Sequence, residues 1–303
     1  MRIAVCLSGQ VRTAVENFTN IKNFLGDIYN NCDFFMHCWD DCSYKTYNLS
    51  NVKRKPYKEK TTKFEKIYEL YSPKKMHIDD SDIAYGYNIS KKFGIEPLWY
   101  SFLKSVQYKK QYELDNGFEY DFIIKLRYDV VIALKDNVSS IKEELQKIKN
   151  NAFYINNYEV LPGRSFKDRL AYDVIFISKS KEMDVASNYF WEMAKNYDNN
   201  DSYINLPHYL MQNNIETKRI EFIDRFLLLR DDYLNKNEID YSKPIDSNSF
   251  EKIQTLENYY FSGHGSNPLD RLFIDDLLEK LKQKEIYLDS NTKYYLENLI
   301  NQL

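Results

Sequence analysis

Short clusters of charged residues in this chain stand where apolar runs end. The sharpest is Arg127-Tyr128-Asp129. It follows the strand-like run Tyr120-Asp121-Phe122-Ile123-Ile124-Lys125-Leu126, and the apolar Val130-Val131-Ile132 resumes at once. A charge at the end of a core strand is costly unless it is paired or holds a ligand. Residues two apart in an extended segment point the same way, so Arg127 and Asp129 share a side. Asp129 is suited to a divalent ion shared with phosphate oxygens, and Arg127 to a phosphate or a neighbouring acid. The alternative is a buried Arg–Asp ion pair that only orients the strand.

Other clusters have the same character. Ser8-Gly9-Gln10-Val11-Arg12 follows the first apolar run and precedes a helical pattern. Its glycine permits close backbone approach, and a helix start favours an anion. It has neither the spaced glycines of a dinucleotide fingerprint nor the Gly-Lys-Ser/Thr ending of a P-loop, so an ordinary strand-to-helix turn stays open. Asp168, Arg169 and Asp173 precede another apolar run, and one of them can contact an acceptor hydroxyl or act as base. A solvated loop is the other reading. His208 follows Pro207 and reads as a cap or surface residue at a helix start. His264 lies in Ser262-Gly263-His264-Gly265-Ser266, a loop able to complete a metal site or close over phosphates, or simply to turn. No nucleophile elbow with Ser–His–Asp order is visible, which gives hydrolase chemistry little support.

These residues need a scaffold, and 303 residues at 43% hydrophobic and 29% charged allow one large α/β domain with a small addition. The net charge of −3 gives no general reason to bind nucleic acid. Met1-Arg2 leads straight into Ile3–Leu7, so no signal peptide is expected, and no apolar stretch approaches the ~20 residues of a membrane span. Cys32, Cys38 and Cys42 lie near His37 without a CxxC pair, so buried reduced thiols, Cys6 among them, are expected rather than zinc.

Hydrophobic patterning predicts strands at Ile3–Leu7, Asp33–Trp39, Lys75–Ile78, Ala152–Ile155 and Val174–Ser178, besides the run before Arg127. Helices are predicted over Val15–Tyr29, Lys63–Tyr71, Leu98–Leu114, Lys181–Asn196 and Leu206–Asn213. An amphipathic helix is also predicted at Pro268–Lys284, and a final short helix at Asn291–Asn301. Strands alternating with helices argue for a mostly parallel sheet, with ligands at the carboxyl ends of its strands. Ser8–Arg12, Trp39–Asp41 and Arg127–Asp129 all fall at such ends, which predicts one cleft there.

In order along the chain, these segments resemble a family. Ile3-Ala4-Val5-Cys6-Leu7-Ser8-Gly9-Gln10-Val11-Arg12 is similar to the opening of bacterial and viral polysaccharide glycosyltransferases with a GT-A-like fold. Phe35-Met36-His37-Cys38-Trp39-Asp40 resembles their second strand. Trp99-Tyr100-Ser101 with Lys104, then Tyr120 to Asp129, resembles a later block, as does Lys167-Asp168-Arg169-Leu170-Ala171-Tyr172 with Met183. The likeness covers roughly residues 1–230. It implies an α/β, GT-A-like mixed and mostly parallel sheet flanked by helices. The catalytic domain would span 1–235, with a linker and helical extension at 236–303.

The resemblance also implies transfer of a sugar from a nucleotide-sugar donor to a glycan or lipid-linked acceptor in surface-polysaccharide synthesis. It implies that Arg127-Tyr128-Asp129 stands where GT-A enzymes carry Asp-x-Asp, with arginine here in place of the first acid. The expected roles follow: Asp129, Arg127 and Asp168 catalytic; Ser8, Gly9, Gln10, Arg12, Asp40 and Lys104 for the nucleotide sugar; Asp129 and His264 for Mn²⁺ or Mg²⁺. A cytoplasmic protein is expected, with peripheral association at the inner membrane face and a homodimer left open. Two alternatives stand beside this reading. One is a nucleotide-sugar-binding protein without transfer activity; the other is a transferase of a phosphate-containing group to glycans.

Overall fold

The computed structural model describes residues 1–40, 63–79, 96–156, 159–160, 169–170, 173–195 and 202–228. Its centre is a seven-stranded mixed sheet. Strand β1 (Ile3–Gln10) lies between β2 (Cys32–Trp39) and β4 (Phe122–Leu126), parallel to both. Strand β3 (Lys75–Asp79) continues parallel beyond β2. On the other side of β4 comes β9 (Ile175–Ser178), antiparallel to it, then β6 (Ala152–Ile155) and finally β10 (Glu216–Arg219), which is parallel to β6. The α/β class and the mostly parallel sheet are those the patterning predicts. Two antiparallel pairs stand apart: β5 (Val130–Leu134) with β11 (Ile223–Leu228), and β7 (Glu159–Val160) with β8 (Arg169–Leu170).

Strand β1 is apolar from Ile3 to Leu7 because both of its faces are covered. Ile3, Val5 and Leu7 enter one core cluster with Ile21, Phe24 and Leu25 of α1 (Phe18–Leu25), and with Ile67 and Tyr71 of α2 (Phe64–Tyr71). Ile141 and Leu145 of α4 (Ile141–Gln146) join the same cluster. Ala4 and Cys6 enter the other cluster, built on Trp99, Phe102 and Val106 of α3 (Glu96–Asn116). Met183 of α5 (Ser180–Ser187), Tyr189 of α6 (Tyr189–Lys195) and Leu206 of α7 (Ser202–Gln212) complete that layer. The strand period of two thus sorts alternate residues into opposite cores. A buried polar strap ties α3 to α5: the Lys109 ammonium lies 3.0 Å from Glu113 and 2.6 Å from Asp184, and also donates to Ser180.

Several boundaries differ from expectation. Strand β1 does not stop at Leu7 but pairs on through Ser8, Gly9 and Gln10 with His37, Cys38 and Trp39. The expected helix over Val15–Tyr29 is shorter. Turns occupy the residues before Phe18, and Gly26–Asn31 is a 3-10 helix. One expected helix over Lys181–Asn196 is divided at Asn188 into α5 and α6. Helix α7 begins at Ser202, so Pro207 lies inside it and His208 is not at its start. No helix among the described residues is long and apolar enough to cross a membrane. The expected helices at 268–284 and 291–301, and the boundary at 235/236, lie outside the described residues.

Candidate anion site at the carboxyl edge

Parallel pairing brings the ends of β1, β2, β3 and β4 to one edge of the sheet. Leu7 is level with Leu126, so Ser8–Gln10 and Arg127 leave that row side by side. Because β9 runs the other way, its start lies at the same edge: Leu126 is level with Ile175, and the Arg127 amide donates to the Val174 carbonyl at 3.3 Å. Asp173 precedes that start and is buried.

The turn Arg127-Tyr128-Asp129 is anchored from below. Tyr128 is fully buried, and its hydroxyl lies 3.1 Å from the His37 carbonyl and 3.3 Å from the Leu7 carbonyl, with Cys38 Sγ at 3.1 Å. One phenol therefore ties the turn to the ends of β1 and β2. Asn17, also fully buried, donates its side-chain amide to the carbonyls of Tyr128 and Val130 at 3.0 and 2.6 Å. The turn is thus held both through its backbone carbonyls and through the Tyr128 hydroxyl.

Those side chains form a continuous chain of alternating charge. Arg127 grips Asp129 as a fork, with Nε 2.8 Å from Oδ1 and Nη2 2.9 Å from Oδ2. Arg12 Nη1 reaches Asp129 Oδ2 at 3.3 Å, and its other terminal nitrogen donates to Gln10. Arg127 Nη1 lies 3.4 Å from Asp173 Oδ2. Below Asp173 comes Lys125, whose ammonium donates to the Asp173 carbonyl and lies 4.0 Å from its carboxylate. Burial, opposed by Asp173, pushes the Lys125 ammonium down to about 8. Fork-type pairing of this kind is the strongest geometry available to Arg and carboxylate.

Of the residues singled out in the sequence, Gln10, Arg12, Arg127, Asp129 and Asp173 meet in this chain. Ser8 is buried at the end of β1 beside His37. Gly9 has φ 120°, with open space where a Cβ would point, so conformation rather than crowding calls for glycine there. Asp40 donates its amide to the Asp79 carbonyl at 3.0 Å, one strand further out. Lys104 lies with the rings of Tyr100 and Tyr108, 5.9 and 5.7 Å from their centres, rather than in the guanidinium chain. Asp168 and His264 lie outside the described residues.

The expected divalent ion does not fit the described side chains. Both Asp129 oxygens accept from guanidinium N–H groups, and Asp173 is turned toward Arg127. Among the described residues no group of three His, Cys, Asp or Glu side chains is arranged to hold a metal. Asp129 is thus held by arginine on both of its oxygens. Burial pushes the thiols of Cys6 and Cys32 up to about 12.

A second polar group sits one strand away. His37 Nδ1 lies 2.8 Å from the Ser101 hydroxyl and Nε2 lies 2.9 Å from Asp79, whose other oxygen meets His77 at 2.8 Å. The hydrogen bond from His37 holds the Asp79 carboxyl well below the usual range, while burial lowers His37. The order Ser–His–Asp was not visible in the sequence, and here it does not make a hydrolase. Ser101 is fully buried, its hydroxyl lies 3.3 Å from the His37 carbonyl, and the ring nitrogens are reversed relative to a hydrolytic triad. The group locks β2, β3 and α3 together.

No protein-family model matches this chain, and no curated protein matches it.

Proposed function

We propose that this protein is a GT-A-like glycosyltransferase. It would move a sugar from a nucleotide-sugar donor to a glycan or lipid-linked acceptor of a surface polysaccharide. The observation that carries the reading is the Arg12–Asp129–Arg127–Asp173 chain at the carboxyl edge of a mostly parallel sheet. Ligands bind at that edge in open α/β sheets. Cationic groups set in advance at a leaving diphosphate stabilise the charge that develops there. In the transfer, the bond from the anomeric carbon to the phosphate oxygen breaks and the diphosphate leaves with the electron pair. The acceptor oxygen forms the new bond and gives its proton to a base, for which Asp168 is the candidate. The resemblance of Ser8–Arg12 and Tyr120–Asp129 to polysaccharide glycosyltransferases supports the same reading.

The test is release of nucleoside diphosphate from a panel of nucleotide sugars, with and without acceptor glycans. One donor should be consumed, and Asp129→Asn should slow its consumption by about 100-fold while the protein stays folded. Undiminished turnover in that variant removes Asp129 from the site; no release from any donor ends the transferase reading. Engagement of both Asp129 oxygens by arginine favours one other reading, binding of the nucleotide sugar without transfer, which gives a measurable Kd and no diphosphate release.

A further inference from the structure

The residue that stands at the metal position is not arranged as a metal ligand, and this points to how the site handles phosphate. The inference rests on the nucleotide-sugar reading above. Among the described residues three cations, Arg12, Arg127 and Lys125, alternate with two carboxylates, Asp129 and Asp173. Exposure divides the two arginines from the acids, while Lys125 is buried with the acids. The Asp129 and Asp173 side chains are 3% and 5% exposed, whereas those of Arg12 and Arg127 are 12% and 18% exposed. What the array presents outward is guanidinium; the acids lie beneath and hold it.

That layering suits one class of ligand. A guanidinium is planar, permanently charged and matched to phosphate oxygens, and here two of them converge on Asp129 Oδ2. Arg12 arrives from the end of β1, past the positive-φ Gly9, and Arg127 from the end of β4. The backbone of the second is fixed by Asn17 and Tyr128. Both guanidiniums are thus positioned before any ligand arrives, which is what electrostatic stabilisation of a leaving group needs.

We propose that Arg12 and Arg127 together take the charge of a nucleoside diphosphate, so that this protein binds its donor without a divalent cation. Asp129 is then a positioning residue that holds both guanidiniums, not a metal ligand. This reverses the expectation that Asp129 carries Mn²⁺ or Mg²⁺.

Titration calorimetry on the full chain tests it, using UDP, GDP, ADP, CDP and dTDP, each once in EDTA and once in MnCl₂. One of them should bind, with Kd values in the two buffers within about threefold of each other. Arg127→Gln and Arg12→Gln should each weaken that binding by at least about tenfold in EDTA, the loss expected for one charged hydrogen-bond partner. Arg127→Lys, which keeps the charge and loses the fork, should fall between. Binding at least tenfold tighter in MnCl₂, with the difference abolished in Asp129→Asn, overturns the inference and leaves the transferase reading standing. Binding unaltered in both folded arginine variants also overturns it. If no nucleotide binds in either buffer, the transferase reading falls and takes this inference with it. Should an arginine variant fail to fold, the comparison of buffers on the unaltered protein decides alone.

Discussion

Lys125 carries a charge into the core two residues before Arg127. Its ammonium lies 5.0 Å from the centre of the Phe176 ring and donates to the Asp173 carbonyl, and the side chain is 1% exposed. Burial holds its proton less tightly in the folded protein, to about 8 against 10.5 for an ordinary lysine. The sign of the pH effect follows. Below pH 8 both folded and unfolded chains hold the proton, and the full cost of the buried charge is present. Between about 8 and 10.5 the unfolded chain binds more protons, so raising the pH favours the folded state. Stability relative to a Lys125→Met variant should therefore rise by about 3 kcal/mol across that window, as urea denaturation at a series of pH values measures. A pH-independent difference would mean that Lys125 titrates normally. The lysine was not legible as part of the site, because an apolar run with one lysine reads as a strand, and the chemistry was sought where the run ended. The two-residue spacing of Lys125, Arg127 and Asp129 was the available signal.

At the scale of elements, the turn between β4 and β5 is governed by a residue from another segment. Asn17 stands at the start of α1, where an amide side chain usually accepts from the helix's own first turn. Here it makes no capping bond; instead its Nδ2 donates to the carbonyls of Tyr128 and Val130. This explains why α1 begins at Phe18 and why the patterning, which sees only apolar spacing, extended the helix back to Val15. Asn17→Ala should leave two buried carbonyls without these donors and cost about 2–4 kcal/mol in urea denaturation. Asn17→Asp, which sets a carboxylate against the same carbonyls, should cost at least as much. A loss below about 0.5 kcal/mol in both would show that the turn is held by Tyr128 alone. The strands were more legible than the helices because burial on both faces leaves mostly apolar runs in β1, β4 and β9. Strand β1 was read too short, since Ser8-Gly9-Gln10 has the composition of a turn and its pairing with β2 depends on a residue row distant in sequence.

For the whole molecule, the sheet converts sequence distance into proximity. Arg12 and Asp129 are separated by 117 residues and meet at 3.3 Å because β1 and β4 are parallel neighbours. Asp173 joins them only because β9 is antiparallel, so that its beginning, not its end, faces the site. The sequence could place Ser8–Arg12 and Arg127–Asp129 at strand ends, and hence at one edge. It could not show that Asp129 would be claimed by two arginines, since that depends on which strands lie side by side. If this edge binds a nucleoside diphosphate, its effect should be polar across the sheet. Amide hydrogen exchange with a bound nucleoside diphosphate should slow at residues 8–13 and 127–130, where the ligand rests and the turn is clamped. Exchange in β10 and β6, on the far side of β9, should be unaltered. Slowing spread evenly over all strands would indicate general stabilisation by a ligand bound elsewhere. Slowing confined to β10 and β6 would place the site at the opposite side of the sheet and detach it from the arginine pair.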